Sequence, residues 1–271
     1  MLTQLYILAA LYVLLPVAAL VLLRLRHKFR LTSVIGGIAG FFLAMRILMT
    51  VLNMLLTALG VTTEFWESHE TLNRILNILV NALFQNLSLY LIMKYVLKSR
   101  MSLYDGMAMG ISFCLGNCFI QGYYFVYASR LYQSYQAGTL ANLASEALPL
   151  ESLQATVDEI ISVGLFHYYF QVLNAAVIIF LSMVLGMLLY HGLKKPDQRF
   201  LPLALGLQIL ALGLVEIGVS LPWIGFYPLA DLLVAGITCF IFLKYMTWYR
   251  QQQRDLAAKK KAYRESLKTT S

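Results

Sequence analysis

Long apolar runs alternate with short polar connections along almost the whole chain. Seven of these runs approach or exceed the roughly 20 residues that an α-helix needs to cross a bilayer. They cover residues 5–23, 33–60, 72–94, 104–127, 161–190, 200–221 and 229–249, to within a few positions. The pattern predicts an all-α fold, a polytopic transmembrane helix bundle of about seven spans that forms a single domain over residues 1–249.

Composition and charge agree with a membrane protein. Of the 271 residues, 60% are hydrophobic and only 13% are charged, whereas soluble domains are about 25% charged. The formal net charge is +8, but the basic residues cluster at 24–30, 94–100, 194–199 and 250–268, and most acids lie in the alternate connections. The positive-inside rule therefore predicts an external N-terminus, an external loop over 128–160 with short helices, and a basic cytoplasmic tail over 250–271. We expect a protein surrounded by lipid, with no nucleic-acid partner.

Amide side chains recur inside the apolar runs at helical spacing. Asn73, Asn77, Asn81 and Gln85 follow one another at four-residue steps on one face of the third run. Amides in hydrocarbon cost free energy unless they find partners, so a lipid-facing position would penalise each of them. Similar stripes in neighbouring runs predict a polar cavity inside the bundle, lined by Asn81, Gln85, Asn86, Asn117, Gln121, His167, Gln171 and Asn174. The alternative is that interhelical amide bonds only hold the bundle together, at about 0.6 kcal/mol each.

Ionisable residues inside the apolar runs are few. Arg46 and Glu216 are placed at similar depth, and an ion pair between them is predicted to hold spans two and six together. Asp105 is predicted to cap the N-terminus of span four, where the helix dipole favours a carboxylate. Cys114 and Cys118 lie one turn apart and favour a packing role over a shared ion. Because the spans hold no HExxH motif and no cluster of His and carboxylate ligands, we predict no metal and no cofactor.

One stretch matches the motifs of a known family. Residues 82–119, ALFQNLSLYLIMKYVLKSRMSLYDGMAMGISFCLGNCF, resemble the central segment of the YhfC family of glutamic-type intramembrane proteases, in the CAAX-protease and PrsW-like group. In that family, span three carries F-E-E-G-G-R-Y, and D-G-x-A-x-G-x-G-H-G-G-x-E opens span four. This chain keeps the frame of both motifs through Phe84, Tyr90, Lys94, Asp105, Gly106, Ala108 and Gly110. The resemblance implies a seven-span bundle in the bacterial cytoplasmic membrane.

The residues that carry catalysis in that family are replaced here. Gln85 and Asn86 stand where the paired glutamates are expected, and Phe113 and Asn117 stand where span four has its histidine and glutamate. An amide keeps the approximate shape of a carboxylate, but it cannot take a proton from water. The resemblance therefore implies a degenerate member, a pseudo-protease that binds a transmembrane or lipidated peptide, or another membrane protein, without cutting it.

Two other functions stay open on the sequence alone. The first is an active intramembrane peptidase that uses a shifted set of residues, His167 and Glu216, with Asp231 as a further candidate. The second is a transporter or flippase subunit that uses the polar interior as a path, although no inverted repeat supports it. Enzymatic activity is therefore left open, and no catalytic residue is assigned.

Overall fold

The computed structural model of the chain describes residues 1–61, 63–97, 101–145, 149–194, 199–220 and 226–269. These residues are almost entirely helical, and seven of their helices are long and apolar enough to cross a membrane. Spans one to seven are Leu2–Arg26, Leu31–Ala58, Glu70–Leu97, Leu103–Gln136, Phe166–Lys194, Phe200–Gly218 and Phe226–Lys260. The predicted all-α fold with seven spans is confirmed.

Four features add to this simple pattern of seven α-helical spans. The helix of span seven continues to Thr269, so the basic tail prolongs that helix. The segments Leu43–Leu48 in span two and Ile92–Leu97 in span three are π-helical turns. A short helix, Thr63–Ser68, precedes span three.

The connection between spans four and five holds more helix than the sequence predicted. Span four continues as one helix to Gln136, into the stretch predicted as loop. A 3-10 turn, Leu140–Leu143, and a helix over 150–163 follow. One small buried cluster packs these segments together through Leu131, Leu140, Leu153 and Val157. Gly164 then has a φ of 74°, a conformation that glycine adopts readily, and separates this helix from span five.

Span four is the central helix of the bundle, because spans one, two and five all pack against it. Spans four and five approach each other closely where Gly106 and Gly110 face Ser182 and Gly186. Small residues four positions apart on both helices let the two backbones come together, as in other small-xxx-small pairs. Spans six and seven pack on span five and on each other, and span three packs on span six.

Asp105 joins the first turn of span four to the start of span two. The N-cap of span four is Ser102, and Asp105, predicted as the cap, is the N3 residue of a capping box. Its Oδ2 accepts hydrogen bonds from the backbone N–H and the hydroxyl of Ser102, at 2.7 and 2.8 Å. Its Oδ1 accepts from the backbone N–H of Arg30 at 2.7 Å and from the Ser33 hydroxyl at 3.0 Å. This buried carboxylate orders the end of the bundle that carries residues 24–30, which we call the basic end.

The predicted ion pair between Arg46 and Glu216 is wrong. Glu216 Oε1 instead accepts a hydrogen bond from Nη1 of Arg74, at 3.0 Å. This contact ties span six to span three, because span three is the helix that packs on span six. Arg46 lies in the π-helical turn of span two, and its side chain is exposed. Similar depth in the sequence did not indicate which helices are neighbours.

Candidate functional site

Five polar side chains from four spans form a hydrogen-bonded network in the middle of the bundle: Gln85, Asn86, Cys114, Ser182 and Gln208. Asn86 donates from Nδ2 to Gln208 Oε1, and Gln208 donates from Nε2 to Gln85 Oε1. Gln85 donates from Nε2 to Ser182 Oγ at 3.1 Å. Cys114 donates from Sγ to the same hydroxyl oxygen at 3.0 Å. This amide network therefore links spans three, six, five and four through neutral groups.

The amide network is buried, and all but one of the oxygens and amide nitrogens of Gln85, Asn86 and Gln208 are paired: the Oδ1 of Asn86 has no hydrogen-bond partner among the described residues. Gln85 is 8% exposed, Asn86 7% and Gln208 3%. Asn86 Nδ2 also donates to the backbone carbonyl of Ala82, at 2.8 Å. Carboxylates at these positions would lack the N–H groups that Asn86 and Gln85 donate. Gln85 and Gln208 each both donate and accept a hydrogen bond, which an ionised carboxylate cannot do.

Removing Gln208 tests how much the amide network contributes to stability. Gln208→Leu deletes the link between Asn86 and Gln85, and leaves Gln85 Oε1 buried without its donor. We expect the free energy of unfolding to fall by about 1–2 kcal/mol, because two interhelical bonds are lost. Gln121→Leu is the matched control, since Gln121 is half-buried and belongs to no bond of the network. Reversible unfolding in detergent measures both, and equal losses would contradict a stabilising role for the network.

A polar cavity of about 220 Å³ adjoins the amide network on the side away from the basic end. Its polar wall consists of side chains from spans one, four, five and seven: Tyr12, Asn117, Gln121, Gln171, Asn174 and Tyr227. Cys114 lines the cavity and also belongs to the amide network, so the two features share a wall. Asn117 is exposed, and the cavity therefore opens to the surroundings of the bundle at this residue.

The structure does not bring together all the residues that were predicted to line one cavity. Asn117, Gln121, Gln171 and Asn174 line the cavity. Gln85 and Asn86 lie instead in the closed amide network, one helical turn beyond the half-buried Asn81. His167 lies on the ring of Tyr227, with the centroids 5.8 Å apart, and so borders the cavity wall.

Phe113 occupies a different environment from the other replaced catalytic positions. It is 3% exposed and packs edge-on against Phe41, with ring centroids 5.7 Å apart. The span-four side chain that reaches the amide network is its neighbour Cys114. Asn117 lies one turn further along, in the cavity wall. The four positions that the family motif places in one site are therefore spread over three environments.

The residues proposed for an alternative active site have separate partners. Glu216 bonds to Arg74, and His167 stacks on Tyr227. Within the described part of the chain, no hydrogen bond or ion pair joins His167 to Glu216.

The two outermost amides of span three bond to each other within their own helix: Asn77 Nδ2 donates a hydrogen bond to Asn73 Oδ1 at 3.0 Å.

Sequence reasoning missed three residues of these sites. Ser182 lies in an apolar run and gave no polar signal, although its spacing to Gly186 repeats that of Gly106 and Gly110. Tyr12 and Tyr227 were hidden among many aromatic residues. Gln208 was visible as the amide of span six, but its neighbours depend on which helices pack together.

Seven apolar helices around buried polar side chains are typical of a multi-pass membrane protein. Residues 11–217 match the family described as YhfC intramembrane metalloprotease. The chain therefore belongs to this family, as the motifs of spans three and four indicated. No curated protein and no solved structure matches the chain.

The family description implies a metal ion, and the polar residues of this chain do not fit one. Catalytic zinc is held by His, Cys or carboxylate side chains, usually three of them. The described residues contain no group of three or more His, Cys, Asp or Glu placed to hold an ion. In the amide network, the side-chain oxygens of Gln85 and Gln208 already accept hydrogen bonds from neighbouring amides. This donor set does not suit a metal-bound water.

Proposed function

We propose that this chain is a non-catalytic member of its family, a pseudo-protease that binds a peptide or a membrane-protein partner within the bilayer. The observation that carries the proposal is the neutral amide network at the positions of the family's paired glutamates. Hydrolysis of a peptide bond by water needs a base, and an amide cannot serve as one. Loss of that base alone lowers a rate by roughly 10²–10⁴.

The open cavity beside the network is the proposed binding site. Its amides present both donors and acceptors, which match the N–H and C=O groups of an extended peptide backbone. A transmembrane segment has its polar backbone groups satisfied only where it is helical, so an unwound stretch needs such a polar wall. The proposed ligands are a transmembrane peptide, a lipidated peptide, or the membrane segment of another protein.

The proposed orientation follows from the charges of the connections. An external N-terminus places the basic end, with Arg24, Arg26 and Lys194, at the cytoplasmic face. The basic helix that prolongs span seven then enters the cytoplasm, where it meets anionic lipid headgroups. The proposed location is the bacterial cytoplasmic membrane, and the cavity then opens toward the external half of the bilayer.

Site-specific photo-crosslinking tests whether the cavity binds peptides. A benzophenone side chain at Gln121, in the cavity wall, is expected to crosslink synthetic transmembrane and prenylated peptides in lipid nanodiscs. The same group at Asn142, an exposed residue of the 3-10 turn, is the matched control and is expected to give only background. Mass spectrometry of the same samples is expected to find intact peptides.

Two results would contradict the proposal. Cleavage fragments produced by the wild-type protein would show that catalysis is retained. Equal crosslinking from positions 121 and 142 would show that the cavity has no preference for these peptides. A second benzophenone position at Gln171, on span five, guards against blockage of the cavity by the probe itself.

A further inference from the structure

Asp231 is a fully buried carboxylate with one oxygen unpaired. It lies in the second turn of span seven and is 0% exposed. Its Oδ1 accepts a hydrogen bond from Asn174 Nδ2, at 2.6 Å. Among the described residues, its Oδ2 has no hydrogen-bond partner. A buried carboxylate in this state is costly, so it either keeps a proton or has a positively charged ligand.

The carboxylate lies directly behind the cavity wall. Asn174, which bonds to Asp231, lines the cavity, and so does Tyr227, one turn before Asp231 on the same helix. The described residues that line the cavity include no lysine, arginine or histidine. The electrostatic potential of the cavity is therefore set by one buried negative charge and by neutral amides, phenols and thiols.

The ionisable groups around Asp231 do not neutralise it. Tyr12 and Tyr227 are the groups close enough to interact with it electrostatically, and phenols are uncharged at neutral pH. His167 stacks on the Tyr227 ring, and within the described part of the chain no hydrogen bond or ion pair joins it to Asp231. Among the described residues, no cation balances this carboxylate.

We propose that the cavity binds a primary ammonium group, carried by a lysine side chain or the amino terminus of the peptide ligand. Asp231 supplies the counter-charge, and the amide oxygens of Gln171 and Asn174 accept the ammonium N–H bonds. An ammonium group has three donors and no acceptor, which suits a wall rich in side-chain oxygens. The cavity volume of about 220 Å³ is larger than a bare metal ion needs and leaves room for the end of a side chain. This inference rests on the proposed peptide-binding function and names the chemistry of its ligand.

A pair of peptides that differ in one charge tests the proposal. Each is an apolar helix of about 20 residues, long enough to span a bilayer. One carries a lysine in the second turn from its external end, and the other carries Nε-acetyl-lysine there; both have acetylated amino termini. A third peptide has a free amino terminus and norleucine in place of lysine. Binding is measured by fluorescence transfer to full-length protein in phosphatidylcholine vesicles.

We expect one of the two amine-bearing peptides to bind the wild-type protein about tenfold more tightly than the acetyl-lysine peptide. Asp231→Asn keeps the shape of the side chain and the hydrogen bond from Asn174. It is expected to remove this preference without weakening the binding of the acetyl-lysine peptide. Asp158→Asn, at an exposed position of the helix over 150–163, is the matched control and is expected to keep the preference. The comparison of peptides in wild-type protein stands even if the Asp231 variant does not fold.

The outcomes separate this inference from the function on which it rests. Equal binding of all three peptides would overturn ammonium recognition and leave peptide binding in place. Absence of binding by every peptide would overturn both. If Asp231→Asn still prefers an amine-bearing peptide, Asp231 is not the counter-charge of the ammonium group. Loss of the preference when phosphatidylethanolamine is added would assign the ammonium to a lipid headgroup and overturn the peptide assignment.

Discussion

Gly110→Ala is expected to destabilise the bundle by about 2–4 kcal/mol, because it pushes apart two helices whose backbones are in close contact. A Cβ at position 110 of span four would overlap the backbone carbonyl oxygen of Ser182 on span five. A Cβ at Gly186 would overlap the carbonyl of Gly106 in the same way, so neither side can relax by rotating a side chain. Thermal or denaturant unfolding in detergent measures the loss.

The control for this substitution is Gly206→Ala. Gly206 is a helical residue of span six, and apart from its chain neighbours and the backbone of its own helix, no described atom lies within 4 Å of the position that its Cβ would take. Alanine favours a helix by up to about 1 kcal/mol over glycine, so this variant is expected to be neutral or slightly more stable. Similar losses in both variants would show that the close packing of spans four and five contributes little.

Gly110→Ala is also expected to disturb the amide network. Ser182 contacts Gly110 through its carbonyl, and its hydroxyl accepts hydrogen bonds from Gln85 and Cys114. Moving spans four and five apart would lengthen the bond between Cys114 and Ser182. Increased reaction of Cys114 with a membrane-permeable thiol reagent is the measurement, and Cys239, exposed on span seven, is the internal standard.

Hydrophobic periodicity predicted the spans because burial in lipid demands an almost unbroken apolar run. It failed where a helix leaves the bilayer. Residues 128–136 mix polar and apolar side chains, yet they continue span four because Ala128 and Leu131 are buried. The start of span five was placed too early because Gly164, which ends the preceding helix, lies inside an otherwise apolar stretch.

The sequence predicted the features of the candidate site that depend on one helix alone, but not those that depend on contacts between helices. Amide spacing showed which face of each helix is polar, and that sufficed for Gln121, Gln171 and Asn174. Which helices meet is a tertiary property, so the partners of Gln85 and Glu216 did not follow from depth or spacing. Gln208 and Arg74 are those partners, and both come from the packing of span three on span six.

Asp105→Ala is expected to lower the free energy of unfolding by about 2–4 kcal/mol, because it removes the acceptor for four hydrogen bonds at once. The backbone N–H groups of Arg30 and Ser102 and the Ser33 hydroxyl would lose their partner at the basic end. Asp105→Asn keeps one acceptor oxygen and is expected to lose about half as much. Asp255→Ala, at an exposed position of the helix that prolongs span seven, is expected to change stability by less than about 0.5 kcal/mol. Proteolysis at the connection over 27–30 reports the local effect, and protection equal to wild type in Asp105→Ala would show that this carboxylate does not hold spans two and four together.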